Sequence, residues 1–201
     1  GNSQVYLKDD RLLEDYLIGT AIDEVVLVLH DNSQRAGSDL REVVERARFA
    51  RTLLAPLSRR IGHAGVAEQA AILGAFNADI LANTTHAGEL AAAIAKRLDA
   101  LAPLHDRGWV GLFEEGTGLI LSRKLRGVPE RYVIGLDLVE GAEARHLDEM
   151  TAELQALYAH PATLKAKEKE TVISAPTGLV ETILDLGRKG VSIQRYKGLG
   201  E

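Results

Sequence analysis

An α+β protein is what this sequence predicts: a helical bundle segment combined with a mixed or antiparallel sheet. Three observations carry that expectation. Val43, Ala47, Ala50, Leu54, Leu57 and Ile61 recur at alternating steps of four and three, the apolar stripe of a helix that faces a partner helix. "GLILSRKL" and "RYVIGLDL" stand on either side of "RGVPE", which reads as two antiparallel strands about a turn. "EVVLVLH" carries five aliphatics from Val25 to Leu29, a run suited to a strand covered on both faces.

Taken in order, Gln4 to Lys8 alternates polar and apolar residues and predicts a strand, followed by a short helix through Leu12, Leu13, Tyr16 and Leu17 that Asp9 or Asp10 would cap. The Val25 to Leu29 strand comes next, then the turn formers of "DNSQRAGS". The long helix from Asp39, with Glu42 completing a capping-box variant, runs through Pro56 to Ile61. Its stripe continues beyond the proline, so a bend is expected there rather than an end. Val66, Ala70 and Leu73 mark another helix and Leu90, Ile94, Leu98 and Leu101 a third, which together imply a small bundle. After the hairpin, Leu147, Met150, Leu154 and Leu157 return to helical spacing, and "LKAKEKETVIS" reads as short, partly exposed strands. A last helix is predicted from Pro176 to Gly190, where glycine follows Arg188 and Lys189, and Val191 to Arg195 resumes as a strand.

Composition narrows the function classes. The chain has 201 residues, 46% of them apolar and 26% charged, which is globular rather than disordered. No run approaches the roughly 20 apolar residues that span a bilayer, and "GNSQVYLKDD" has neither a basic nor an apolar leader region, so no membrane partner is expected. The absence of cysteine removes disulfides, thiolate nucleophiles and sulfur metal ligands, in keeping with a reducing, cytoplasmic compartment. A net charge of −5 gives no general attraction to nucleic acid, so any such contact must come from a local patch. At 4% aromatic, the chain has too few rings to build stacking platforms for single strands.

No catalytic residue and no metal site is predicted. His30, His63, His86, His105, His146 and His160 are scattered, and none stands three or four residues from another. The carboxylate pairs Asp9 with Asp10, Glu114 with Glu115 and Asp148 with Glu149 are adjacent in sequence and so diverge on any regular element. There is no Asp-x-Asp pair, no G-x-S-x-G elbow and no Walker-type loop. Arg41, Arg48 and Arg59 fall on one line of the long helix and form a candidate basic face, although Glu42 and Glu45 interrupt it; a solvated face and a protein contact are the alternatives.

The remaining motif is "IQRYKGLGE". Arg195 can fork onto a phosphate, Lys197 supplies a point charge, and Gly198 and Gly200 allow close backbone approach or positive φ. Position for position, this string resembles the signature of the B-type subunit of bacterial type IIA DNA topoisomerases. "GNSQVYLKDD" looks like the stretch just after the metal-binding part of that subunit's TOPRIM domain, and the long segment between resembles the insertion carried by many Gram-negative gyrase B subunits. The resemblance implies residues 1–37 as a strand-helix-strand entry from TOPRIM, 38–103 as a helical subdomain of the insertion, 104–190 as its α+β subdomain, and 191–201 as the return strand with the motif. It further implies a parent enzyme that supercoils DNA by ATP-dependent double-strand passage, with Mg2+ and ATP bound outside this stretch. It implies contacts with the gyrase A subunit, the rest of the B subunit and double-stranded DNA. Arg195, Lys197, Gly198 and Gly200 would lie near DNA, and Tyr196 is not the cleaving tyrosine, which the family places on the A subunit. On this reading the chain is an inactive, architectural piece of a larger enzyme. The alternatives are a stand-alone metal-dependent hydrolase and a protein-binding module. The two terminal strands are expected to be neighbours, as the ends of an insertion must be.

Overall fold

The computed structural model describes residues 2–200, with side chains from 9 to 199. Its first elements are α1 (Asn2–Ala21), a 3-10 turn at Ile22–Glu24, β1 (Val26–Val28), β2 (Gln34–Arg35) and α2 (Gly37–Ile61). Then follow α3 (Ala64–Ile72), α4 (Ala78–Leu81), α5 (Thr84–Leu101), β3 (Val110–Glu114), β4 (Gly118–Leu125) and β5 (Val128–Gly135). The chain continues with α6 (Leu136–Val139), α7 (Ala142–Glu149), α8 (Thr151–Tyr158), β6 (Ala162–Lys165), β7 (Glu170–Ile173) and α9 (Pro176–Gly200). The α+β expectation holds, with helices accompanied by two antiparallel sheets. The chain folds as two compact units, one formed by the described residues up to Phe49 with those from His160 onward, the other by Ala50–Ala159.

In the first unit the sheet runs β2-β1-β6-β7. Val26 pairs with Lys165 and Val28 with Thr163, and β6 continues into a hairpin that pairs Ala162 with Ile173. Leu27, Leu164 and Ile173 are buried, as are Leu179, Val180, Ile183 and Leu184 on the first half of α9. Burying a side chain of this size contributes roughly 1.5–3 kcal/mol, so this row is a principal source of the unit's stability. Helices α1 and α9 pack closely: a Cβ placed on Gly187 would lie 2.2 Å from the Leu17 carbonyl oxygen, so only glycine fits there.

Here the structure corrects the sequence reading. Gln4 to Lys8 and Val191 to Arg195, both expected as strands, are helical and belong to α1 and α9. Alternation over five residues is compatible with either element. Among the described residues neither segment has a strand beside it, and a helix satisfies its N–H and C=O groups within itself where a lone strand cannot. The two segments' helices do touch each other. Gly190 does not stop the last helix either; it lies inside α9, where a Cβ would sit 3.1 Å from Thr20 Cγ2.

In the second unit the sheet runs β3-β4-β5. β4 and β5 are joined by Arg126 and Gly127, both with positive φ (50° and 82°), the backbone of a two-residue type I′ hairpin turn that pairs Leu125 with Val128. Helix α5 lies against β3 so closely that a Cβ on Gly111 would meet the Ala91 carbonyl oxygen at 1.9 Å. Leu119, Leu121 and Ile134 of the sheet and Val66, Ala70, Ala91 and Ile94 of the helices are wholly buried. The run "GLDL" leaves the strand at Gly135 and forms α6, which buries Leu138 and Val139.

The stripe that predicted α2 is buried throughout, and the helix passes through Pro56 without ending. It starts two residues before Asp39, which therefore lies in the first turn, favourable for the helix dipole, rather than at the cap.

Candidate nucleic-acid interface

The motif residues lie on the second half of α9. Arg195, Lys197 and Gly198 are exposed, as are Tyr196 and Leu199; the backbone of Gly200 closes the helix, and Glu201 lies outside the described residues. Two residues apart on a helix, Arg195 and Lys197 point about 200° away from each other, so they cannot grip one phosphate together. Gly198 has ordinary helical φ rather than a positive value, and a Cβ there would meet nothing within 4 Å. Packing within the described chain thus gives no reason for glycine at this position.

The arginine line of α2 divides. Arg41 and Arg59 are exposed, whereas Arg48 is buried. Its guanidinium donates to Asp15 Oδ1 at 2.7 Å and Glu45 Oε1 at 3.0 Å and lies 3.5 Å from Glu14 Oε1. Burial alone lowers its pKa, but its hydrogen bonds to the Asp15 and Glu45 carboxylates, with their charges, outweigh it and the net shift is upward. Arg48 therefore ties α1 to α2, and its charge is committed inside the protein.

Elsewhere the polar clusters are built into the packing. Arg97 on α5 donates through Nε to Gln69 Oε1 at 2.7 Å and through its terminal nitrogens to the carbonyls of Ala159 and Tyr158 at 2.8 and 2.9 Å. It thereby satisfies the last carbonyls of α8, and burial among neutral acceptors lowers its pKa. His63 caps α3, its Nδ1 accepting from the Val66 N–H at 3.1 Å. Its ring stands edge-on to Trp109 (5.3 Å) and Tyr132 (5.0 Å). The Arg123 guanidinium lies 4.5 Å above Trp109 and donates to Glu130 Oε1 at 2.8 Å; the Tyr132 hydroxyl donates to the other Glu130 oxygen. These two donors, Tyr132 first, hold the Glu130 carboxyl below its usual range, while burial and the Arg123 charge lower the pKa of His63 against a smaller opposing pull from Glu130. A histidine that must accept a hydrogen bond at Nδ1 works as a cap only when that nitrogen is unprotonated.

His30 and His160 stack with centroids 4.3 Å apart. Among the described residues no three side chains of the His, Asp or Glu type converge on a point that could hold a metal ion. No described helix is long and apolar enough to cross a membrane.

No sequence pattern pointed to the roles of Arg97 and Arg123, and none singled out His63 among the histidines as a cap. The only local signal for the last was a polar residue just before the Ala-Gly-Val start of a helix. Asn77 and Asn83, which cap α4 and α5, carry the more legible form of the same signal.

No family model matches the chain. Among curated proteins, the DNA gyrase B subunit of Caulobacter vibrioides (strain NA1000 / CB15N) is 39% identical over 202 residues, covering 100% of this chain and 24% of the relative. The DNA gyrase B subunit of Rickettsia bellii (strain RML369-C) is 29% identical over 205 residues, and that of Rickettsia conorii (strain ATCC VR-613 / Malish 7) is also 29% identical, with the same coverage. The chain spans about a quarter of the length of the curated relatives it matches (24%). From end to end, then, the chain corresponds to a segment of the DNA gyrase B subunit.

Proposed function

We propose that the chain is the insertion of a gyrase B subunit's TOPRIM domain, bounded by TOPRIM sequence at both ends, and that its role is architectural. The observation that carries this reading is the match along 100% of the chain to 24% of a gyrase B subunit, ending on "QRYKGLGE". In the parent enzyme, ATP-dependent double-strand passage introduces negative supercoils, and magnesium and ATP are held by other parts of the protein. The segment braces the B subunit against the A subunit and duplex DNA in the cytoplasm, with Arg195 and Lys197 nearest the DNA and Gly198 and Gly200 shaping the backbone there. The open space around Gly198 supports this, since glycine at that position answers to no neighbour within the described chain. Of the three arginines on the α2 line, Arg41 and Arg59 are exposed and available for a polyanion, whereas Arg48 is withdrawn by its carboxylates.

The test is deletion of the segment between its two ends in the whole B subunit, reconstituted with the A subunit. ATP-dependent supercoiling is expected to fall more than ATP-independent relaxation, with DNA binding weakened. Unchanged rates in both assays and unchanged DNA affinity would remove the proposal. Loss of chemistry itself, seen as failure to form the cleaved complex with an otherwise folded protein, would refute the architectural assignment.

A further inference from the structure

A groove of about 280 Å3 lies between the β6–β7 hairpin and the middle of α9. Lys169 and Thr171 form its hairpin wall, Asp185, Arg188 and Lys189 its helical wall, and Leu186 part of its lining. Three cations thus face one carboxylate in a chain whose net charge is −5. That is a local inversion of sign, and a concave wall of one sign concentrates counter-ions.

The cations are not equivalent. Arg188 is already engaged, donating to Asp185 Oδ1 at 2.6 Å. The side chains of Lys169 and Lys189 make no ion pair or hydrogen bond among the described residues, and both are exposed. The Thr182 hydroxyl donates to the Gly178 carbonyl at 2.7 Å, while that of Thr171 has no partner among the described residues. The groove therefore offers two ammonium groups and one hydroxyl to an incoming anion. The guanidinium fork suits carboxylate and phosphate alike, and the one fork here already gives a hydrogen bond to a carboxylate of the protein's own. Free ammonium groups are point charges that suit tetrahedral phosphate oxygens equally well from any direction. Arg195 follows Arg188 by seven residues, which puts it on nearly the same side of α9 about 10 Å further along the axis. The positive charge consequently extends as a line, fitted to a phosphodiester chain better than to a single ion.

We propose that this groove seats backbone phosphates of a nucleic-acid strand, with Lys169 and Lys189 as the contacting charges and the Thr171 hydroxyl as a further donor. The choice of duplex DNA as the partner rests on the gyrase reading above; the phosphate chemistry of the groove does not.

The experiment measures anisotropy of a fluorescein-labelled duplex of mixed sequence against the 201-residue chain over a series of chloride concentrations. The Lys169→Gln/Lys189→Gln double variant is compared with the wild type and with Lys96→Gln, an exposed lysine on α5. Two lost phosphate contacts should reduce the slope of log K against log salt by roughly 1.8 and weaken binding about tenfold or more at 0.1 M salt, while Lys96→Gln changes neither. Unaltered circular dichroism and thermal unfolding of the double variant, expected for exposed side chains, tie that loss to the groove. Wild-type affinity and slope in the double variant would overturn the proposal, as would equal weakening by Lys96→Gln. Displacement of the duplex by polyglutamate at matched ionic strength would reassign the groove to an acidic peptide. Inorganic phosphate that binds the chain where the duplex does not would reduce it to a free-phosphate site. The two proposals fail separately: the deletion assay can leave supercoiling intact while the lysine variant loses DNA, and the reverse.

Discussion

The two halves of α9 are one continuous helix under opposite conditions. Leu179, Val180, Ile183 and Leu184 of the first half are at most 1% exposed, whereas Ile193, Tyr196 and Leu199 of the second are 57%, 80% and 80% exposed. The first half is held by burial, the second by its own backbone hydrogen bonds. Short helices without tertiary support are marginal in water, so the difference teaches where the fold's free energy resides.

Substitutions sharpen that contrast. Ile183→Ala removes a wholly buried side chain and is expected to cost about 2–5 kcal/mol, read as a lower urea midpoint at unchanged m-value. Gly187→Ala forces a methyl against the Leu17 carbonyl and should cost about 1–3 kcal/mol; tolerance of alanine there would mean that α1 and α9 do not pack as described. His63 offers the counter-case of a helix end that is tied. His63→Ala should cost roughly 1–2 kcal/mol through the lost cap and ring contacts. Because its folded pKa lies below the ordinary 6.5, the wild type should keep the full contribution above pH 6.5. Stability should then decline as the pH falls from there toward the folded value, since the unfolded chain takes the proton first. A denaturation midpoint flat across that interval, or one lost equally in His63→Ala, would remove the assignment. On the bare half of α9, Gly198→Ala should stabilise by up to about 1 kcal/mol and raise the helical circular dichroism signal, the opposite sign to Gly187→Ala. Leu199→Ala should fall within about 0.5 kcal/mol of the wild type.

What could be read beforehand follows the range of the interaction responsible. The buried stripe of α2 and the β4–β5 hairpin are encoded by neighbours three, four or two positions apart, and both were legible. Strand β3 escaped notice because its alternation is inverted: Val110 and Leu112 face outward, and the inward position between them is Gly111, chosen for the approach of α5. The terminal segments misled because five alternating residues carry too little periodicity to separate strand from helix. Arg48 looked like one of three equivalent arginines since its partners Glu14 and Asp15 are remote in sequence. The motif's chemistry was readable as residue types, but the groove beside it was not. Lys169 and Lys189 come together only through the packing of β7 on α9.

The pairing of Val26 with Lys165 also sets a timetable for biosynthesis. β1 emerges from the ribosome early and waits for β6 while the whole of Ala50–Ala159 is translated. That intervening stretch brings its own hydrophobic interior and can condense as soon as it leaves the exit tunnel, before β6 and β7 arrive. Nascent-chain arrest at successive lengths would register two collapses, the later one only after Ile173 and the start of α9 have appeared.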